Sequence, residues 1–163
     1  MSLPADYHMH TPLCHHAVGE AWELAAKAVE KGLTEIGFSE HNPMIRGDWD
    51  NWHMALEDLN IYVENVRKAQ MDHPGLQVKL ALEVDFIPGH EDWVRELESK
   101  GSFDYFIGSV HYITDEFDID NPDKKDQWEQ GDVDTIWEAY FDRLTQAASS
   151  GLYQIIGHAD LCK

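Results

Sequence analysis

The sequence predicts an α/β fold, a parallel sheet whose strands alternate with helices. Two observations predict it. Five short apolar runs read as strands, separated by crossovers of helical length. Each run also ends at, or just before, side chains that bind metal ions. These are His8-Met9-His10, Ser39-Glu40-His41, Leu82-Glu83-Val84-Asp85, Gly108-Ser109-Val110-His111 and Gly157-His158. Functional groups gathered at the C-terminal ends of different strands are the pattern of barrels made from strand–helix units.

Asp6 to His10 reads as the first strand. Ala21, Leu24, Ala25, Ala28 and Val29 recur at helical spacing, so a helix is predicted from Glu20 to Lys31, stopped by Gly32. Glu35 to Ser39 is the second strand, broken by His41-Asn42-Pro43 because proline disfavours helix at the residue before it. Residues 44–52 read as a loop carrying Trp49 and Trp52, which are explained by loop packing or by stacking on an imidazole. Leu56, Leu59, Tyr62, Val63 and Val66 form one stripe of a helix predicted over Met54–Met71. Leu76 to Val84 is the third strand, Glu91 to Lys100 a short helix, and Asp104 to His111 the fourth strand. Residues 114–134 are acidic and aperiodic, and read as a surface loop. Asp134 is expected to cap a helix through Tyr140 and Leu144 that stops at Gly151. Leu152 to Ile156 is the fifth strand.

The 163 residues suit one domain, and 12 Lys+Arg against 31 Asp+Glu give a net charge of −19. Such a surface repels a phosphate backbone, so no nucleic-acid partner is expected. A small phosphate ester stays compatible, because bound divalent cations invert the local charge. No apolar run is long enough to span a bilayer, and neither a membrane partner nor a signal peptide is expected. Two cysteines, Cys14 and Cys162, do not suggest a disulfide framework, and a reducing cytoplasm is the expected setting. Cys14 reads as a small buried thiol.

His8 and His10 are two apart on a strand, so both leave the same face. His41, His111 and His158 end other strands, and either His15 or His16 could turn inward from the loop after the first. Glu83 closes an apolar run, where a carboxylate is rarely buried unless paired or bound to metal. Its two oxygens can bridge two cations. Asp85 shares its face and is a candidate to orient a ligand. Gly157 allows close backbone approach. His53, His73 and His90 read as solvated.

These segments resemble the PHP (polymerase and histidinol phosphatase) superfamily, within it the monofunctional histidinol-phosphatase branch. The carriers are Asp6-Tyr-His-Met-His-Thr-Pro-Leu-Cys-His-His16, Gly37-Phe-Ser-Glu-His41, Leu80-Ala-Leu-Glu-Val-Asp-Phe86, Phe103-Asp-Tyr-Phe-Ile-Gly-Ser-Val-His111 and Ile156-Gly-His-Ala-Asp-Leu161. The resemblance implies a distorted (β/α)7 TIM-like barrel holding two or three divalent ions, with zinc, iron or manganese as the candidates. It implies that His8, His10 and Glu83 hold the first metal, that Glu83 bridges to a second completed by His111 and His158, and that His16 and His41 hold a third. Glu83, His111 and His158 are the implied catalytic set. Arg46 and Lys163 are the candidate cations for substrate phosphate. The family's terminal Asp-x-His has no match here, so residues 1–163 are expected to form a single PHP domain with about five of seven strands, truncated on its C-terminal side. The implied activity is hydrolysis of L-histidinol phosphate in histidine biosynthesis. The alternatives are a PHP phosphoesterase acting on nucleotides or other small phosphate esters, and a non-catalytic metal-binding module.

Overall fold

The computed structural model describes residues 5–47 and 49–162. Five parallel strands form one curled half-barrel sheet: β1 (Asp6–Met9), β2 (Glu35–His41), β3 (Gln77–Asp85), β4 (Tyr105–Ser109) and β7 (Ile155–Ile156), side by side in that order. Helices α1 (Ala21–Glu30), α2 (Leu59–Asp72) and α3 (Glu91–Ser99) make the first three crossovers. The fourth passes through a hairpin of β5 (Tyr112–Thr114) and β6 (Phe117–Asp118), then α4 (Lys125–Gln130) and α5 (Val133–Ser150). Among the described residues no helix is long and apolar enough to cross a membrane.

Local chemistry sets the boundaries. A capping box opens α1, where the Glu20 N–H donates to Glu23 Oε2 at 2.9 Å. Helix α2 starts at Leu59, later than its apolar stripe predicts, because Leu56–Asp58 tightens into a 3-10 turn. Gly151, at φ 70°, ends α5 in the left-handed conformation. Asp132, not Asp134, caps that helix by accepting from the Thr135 N–H at 2.9 Å. The acidic stretch expected to be a surface loop is ordered instead. Phe117 and Ile119 anchor it in a core with Ile136 and Tyr140, and Trp128 Nε1 donates to the Ile119 carbonyl at 2.9 Å. The fifth strand is shorter than predicted, since Gln154 spends its side chain as well as its N–H on Phe106.

Strand alternation decides what the site receives. Ile36, Phe38, Leu80, Leu82, Val84 and Phe106 pack against Ala21, Ala25, Tyr62, Val66 and Leu97 in the main core. Residues of the opposite phase, among them Ser39, His41, Glu83, Asp85 and Ser109, therefore turn to the concave side. Tyr62 binds this core to the sheet. Its buried hydroxyl lies 2.7 Å from the Phe38 carbonyl and 2.8 Å from that of Ala81, and it accepts from the Glu40 N–H at 3.3 Å.

Candidate metal centre

Parallel register sets His41 opposite Glu83 on the β2–β3 pair. Glu83 is 1% exposed and lies at the middle of five imidazoles. Its Oε2 is 3.0 Å from His8 Nε2, 3.4 Å from His10 Nε2 and 3.3 Å from His41 Nδ1. Its Oε1 is 2.9 Å from His158 Nε2 and 3.7 Å from His111 Nε2, and accepts from Ser109 Oγ at 2.5 Å. Each oxygen thus serves a different set of rings.

The carboxylates behind these rings aim them. Asp85 is buried beside His111, whose Nδ1 is 3.0 Å from both of its oxygens and whose backbone N–H donates to Oδ1 at 3.1 Å. That leaves Nε2 of His111 facing Glu83 and His158. Glu40, fully buried, does the same for His10. Its Oε1 is 3.3 Å from His10 Nδ1, while it accepts from the His41 and Thr11 backbone N–H groups and the Thr11 hydroxyl. Sequence reasoning missed Glu40, which points to the helix side of β2.

The charges follow from this packing. Burial alone would raise the Glu83 carboxyl, but contacts with His158, His8, His111 and His41 hold it well below the usual range. Burial likewise opposes charge on His111, yet Asp85 pushes it up to about 10. His41 is held well below the ordinary histidine value, mainly by burial, so its ring stays neutral. Its Nδ1 is close to Glu83 but makes no hydrogen bond of acceptable geometry, and His158 Nδ1 is buried without a partner too. A neutral buried imidazole, a charged buried carboxylate and an orphaned His41 Nδ1 beside it are the donor chemistry that a divalent cation satisfies. His8, Glu83 and His158 form one group whose donor atoms all lie within 4.8 Å of one another, and His10, His41 and Glu83 form another. The residues therefore fit such an ion.

His41 stands at Glu83 with His10. His16 stands outside the Glu83 contacts, its ring 5.2 Å from that of His41 and its Nδ1 2.8 Å from the Cys14 carbonyl. Cys14 is a buried thiol 3.1 Å from the Thr11 carbonyl, pushed up to about 11 by burial and then by Glu40. His53, expected to be solvated, is buried instead, with Nε2 2.9 Å from Asp85 Oδ2 and Nδ1 2.8 Å from Asp50 Oδ2. Asp50 three residues before it was the available signal.

A cavity of about 190 Å³ opens beside the centre, lined by His16, His41, His111, Trp52, Tyr112 and Asp118 among others. Burial, then the neighbouring Asp120, pushes the Asp118 carboxyl up to about 7. Arg46 lines the adjoining cavity instead, its guanidinium 4.5 Å from the centre of the Trp49 ring. Lys163 lies outside the described residues.

Residues 6–163 match the PHP domain. The chain belongs to the PHP domain family. It is 40% identical over 159 residues to the "Probable histidinol-phosphatase" of Deinococcus radiodurans, covering 97% of this chain and 61% of that protein. It is 30% identical over 175 residues to the histidinol-phosphatase of Bacillus subtilis, covering 96% of this chain and 65% of that one. This PHP chain thus spans about three-fifths of the length of these curated relatives. Its fold matches crystal structures of HisK from Listeria monocytogenes (TM-score 0.79, 22% identity, 98% of this chain and 68% of that one) and of the histidinol phosphate phosphatase of Lactococcus lactis (TM-score 0.77, 23% identity, 96% and 57%). The Lactococcus structure is a complex with zinc, L-histidinol and phosphate.

Proposed function

We propose that this PHP domain is a metal-dependent phosphomonoesterase that hydrolyses L-histidinol phosphate to L-histidinol and phosphate. The carrying observation is Glu83, a buried carboxylate whose two oxygens each face their own imidazoles. The names of the Deinococcus and Bacillus relatives and the ligands of the Lactococcus complex support the substrate. Residues 1–163 are read as one PHP domain, because all five parallel strands share a single sheet.

His8, His10, Glu83, His111 and His158 are the proposed ligands of two ions, with His41 and His16 as donors to a third. The mixed nitrogen and carboxylate set suits zinc, iron or manganese. When bound, such ions neutralise phosphoryl oxygens and make water a nucleophile near neutral pH. The chain's own residues prepare for that chemistry. Glu83 stays ionised among the imidazoles and turns Oε2 toward His8, His10 and His41 and Oε1 toward His158 and His111. Asp85 and Glu40 fix the rings of His111 and His10, so that each offers Nε2. The neighbouring cavity receives the organic part of the ester, with Trp52 and Tyr112 as walls and Asp118 as a polar group.

The test compares phosphate release from L-histidinol phosphate with release from nucleoside monophosphates, using zinc- or manganese-loaded protein. Preferential turnover of L-histidinol phosphate is expected. Equal or faster turnover of nucleotides would move the assignment to a general phosphoesterase.

A further inference from the structure

Five side chains from three segments form a continuous polar relay behind His111. The Tyr112 hydroxyl donates to Asp50 Oδ2, and Asp50 faces His53 Nδ1 at 2.8 Å. His53 Nε2 is 2.9 Å from Asp85 Oδ2, and Asp85 meets His111 Nδ1 at 3.0 Å. Asp50 also accepts from the Trp52 N–H at 2.8 Å and the His53 N–H at 3.1 Å, which folds residues 50–53 around its carboxylate. The same loop sets the Trp52 ring 5.1 Å from that of His16 and the Trp49 ring 5.7 Å from that of Tyr112. Without His53, Asp85 would lose a ring nitrogen 2.9 Å from Oδ2, and leaving a buried carboxylate short of a donor costs free energy.

We propose that His53 is a positioning residue for the metal centre: it holds Asp85 so that His111 presents Nε2 to Glu83, and it ties the loop bearing Trp49 and Trp52 to the ion. The inference rests on the metal-centre reading above. Carboxylates that fix a ligating histidine typically change metal affinity about 10–100-fold when altered. His53 extends that support one residue further, from a strand into a loop.

The test titrates the full chain with zinc against a competing chelator, for the unaltered protein, His53→Ala, His53→Gln, Asp85→Asn and the His53→Ala/Asp85→Asn double variant. Circular dichroism monitors the fold. His53→Ala should weaken zinc about tenfold or more with an unchanged spectrum. His53→Gln should recover part of the loss, because its amide N–H can still donate to Asp85. The double variant should be no weaker than Asp85→Asn alone, as expected of residues acting in one chain. Equal affinity of His53→Ala and the unaltered chain, additive losses, or His53→Gln no better than His53→Ala would each overturn the inference and leave the metal centre standing. Failure of the unaltered chain to take up zinc would overturn both.

Discussion

Gly157 and Ser109 face one another so closely that a methyl group on Gly157 would collide with the Ser109 hydroxyl and come within 3.0 Å of Ile107 Cγ2. That hydroxyl is the one that donates to Glu83 Oε1. Gly157→Ala is therefore expected to displace Ser109, cost about 1–3 kcal/mol by overpacking, and weaken zinc binding. Urea denaturation and zinc titration measure the two effects. A variant as stable as the parent, with the same zinc affinity, would show that the contact can relax freely.

Glu83→Gln keeps the shape of the side chain and removes its charge. Turnover should fall on the order of 100-fold or more, and bound zinc should drop, because the shared anionic donor is gone. Metal analysis of the purified variant beside its rate provides the check. His111→Ala should behave alike, with turnover abolished and most of the fold retained. Wild-type turnover in either variant would remove these residues from the chemistry.

Tyr62 lies on the helix side of β2 and β3 and does not line the cavity. Tyr62→Phe should cost about 1–3 kcal/mol, the usual penalty for leaving buried polar partners unsatisfied, while the Michaelis constant stays unchanged. A denaturation midpoint equal to that of the parent would contradict this account of how α2 is fastened.

Protonation acts on the metal-free protein with a definite sign. Burial opposes charge on His53, but Asp50 and Asp85 outweigh it and push its pKa up from 6.5 to about 9. A histidine raised on folding adds stability that is fully present below pH 6.5 and lost as pH climbs through about 9. Burial would also raise Asp50, yet hydrogen bonds led by His53 bring it from 3.8 down to about 2. Its contribution is present above pH 3.8 and lost as pH falls through about 2. With chelator present, the urea midpoint should thus decline from pH 6.5 to 9.5, and His53→Ala should flatten that limb. A parent midpoint that rises over this interval would refute the assignment.

Much of the centre was legible from alternation along the strands. The two-residue spacing of His8 and His10, and of Glu83 and Asp85, puts the members of each pair on one face without any tertiary information. Glu40 stayed hidden because its phase points it toward the helices, and only folding brings Thr11 to it. His53 stayed hidden because a histidine in an aperiodic loop carries no directional signal, and its partner Asp85 is 32 positions away. The hairpin of β5 and β6 was too short and too acidic to announce itself. Its order comes from Phe117 and Ile119 reaching a core to which α5 contributes Ile136, Tyr140 and Ala147.

β1 and β7 are the two outer strands of the sheet, yet the ring of His8 within β1 and that of His158 just after β7 stack with centroids 5.8 Å apart. The curl of the sheet lets side chains from its two margins meet beside Glu83. An ion captured there would act as a clasp between β1 and the segment that follows β7. Loop closure over such a span is among the last contacts a folding polypeptide can make. Zinc uptake would accordingly come late in refolding, after these five strands have assembled, and would lock the sheet instead of nucleating it.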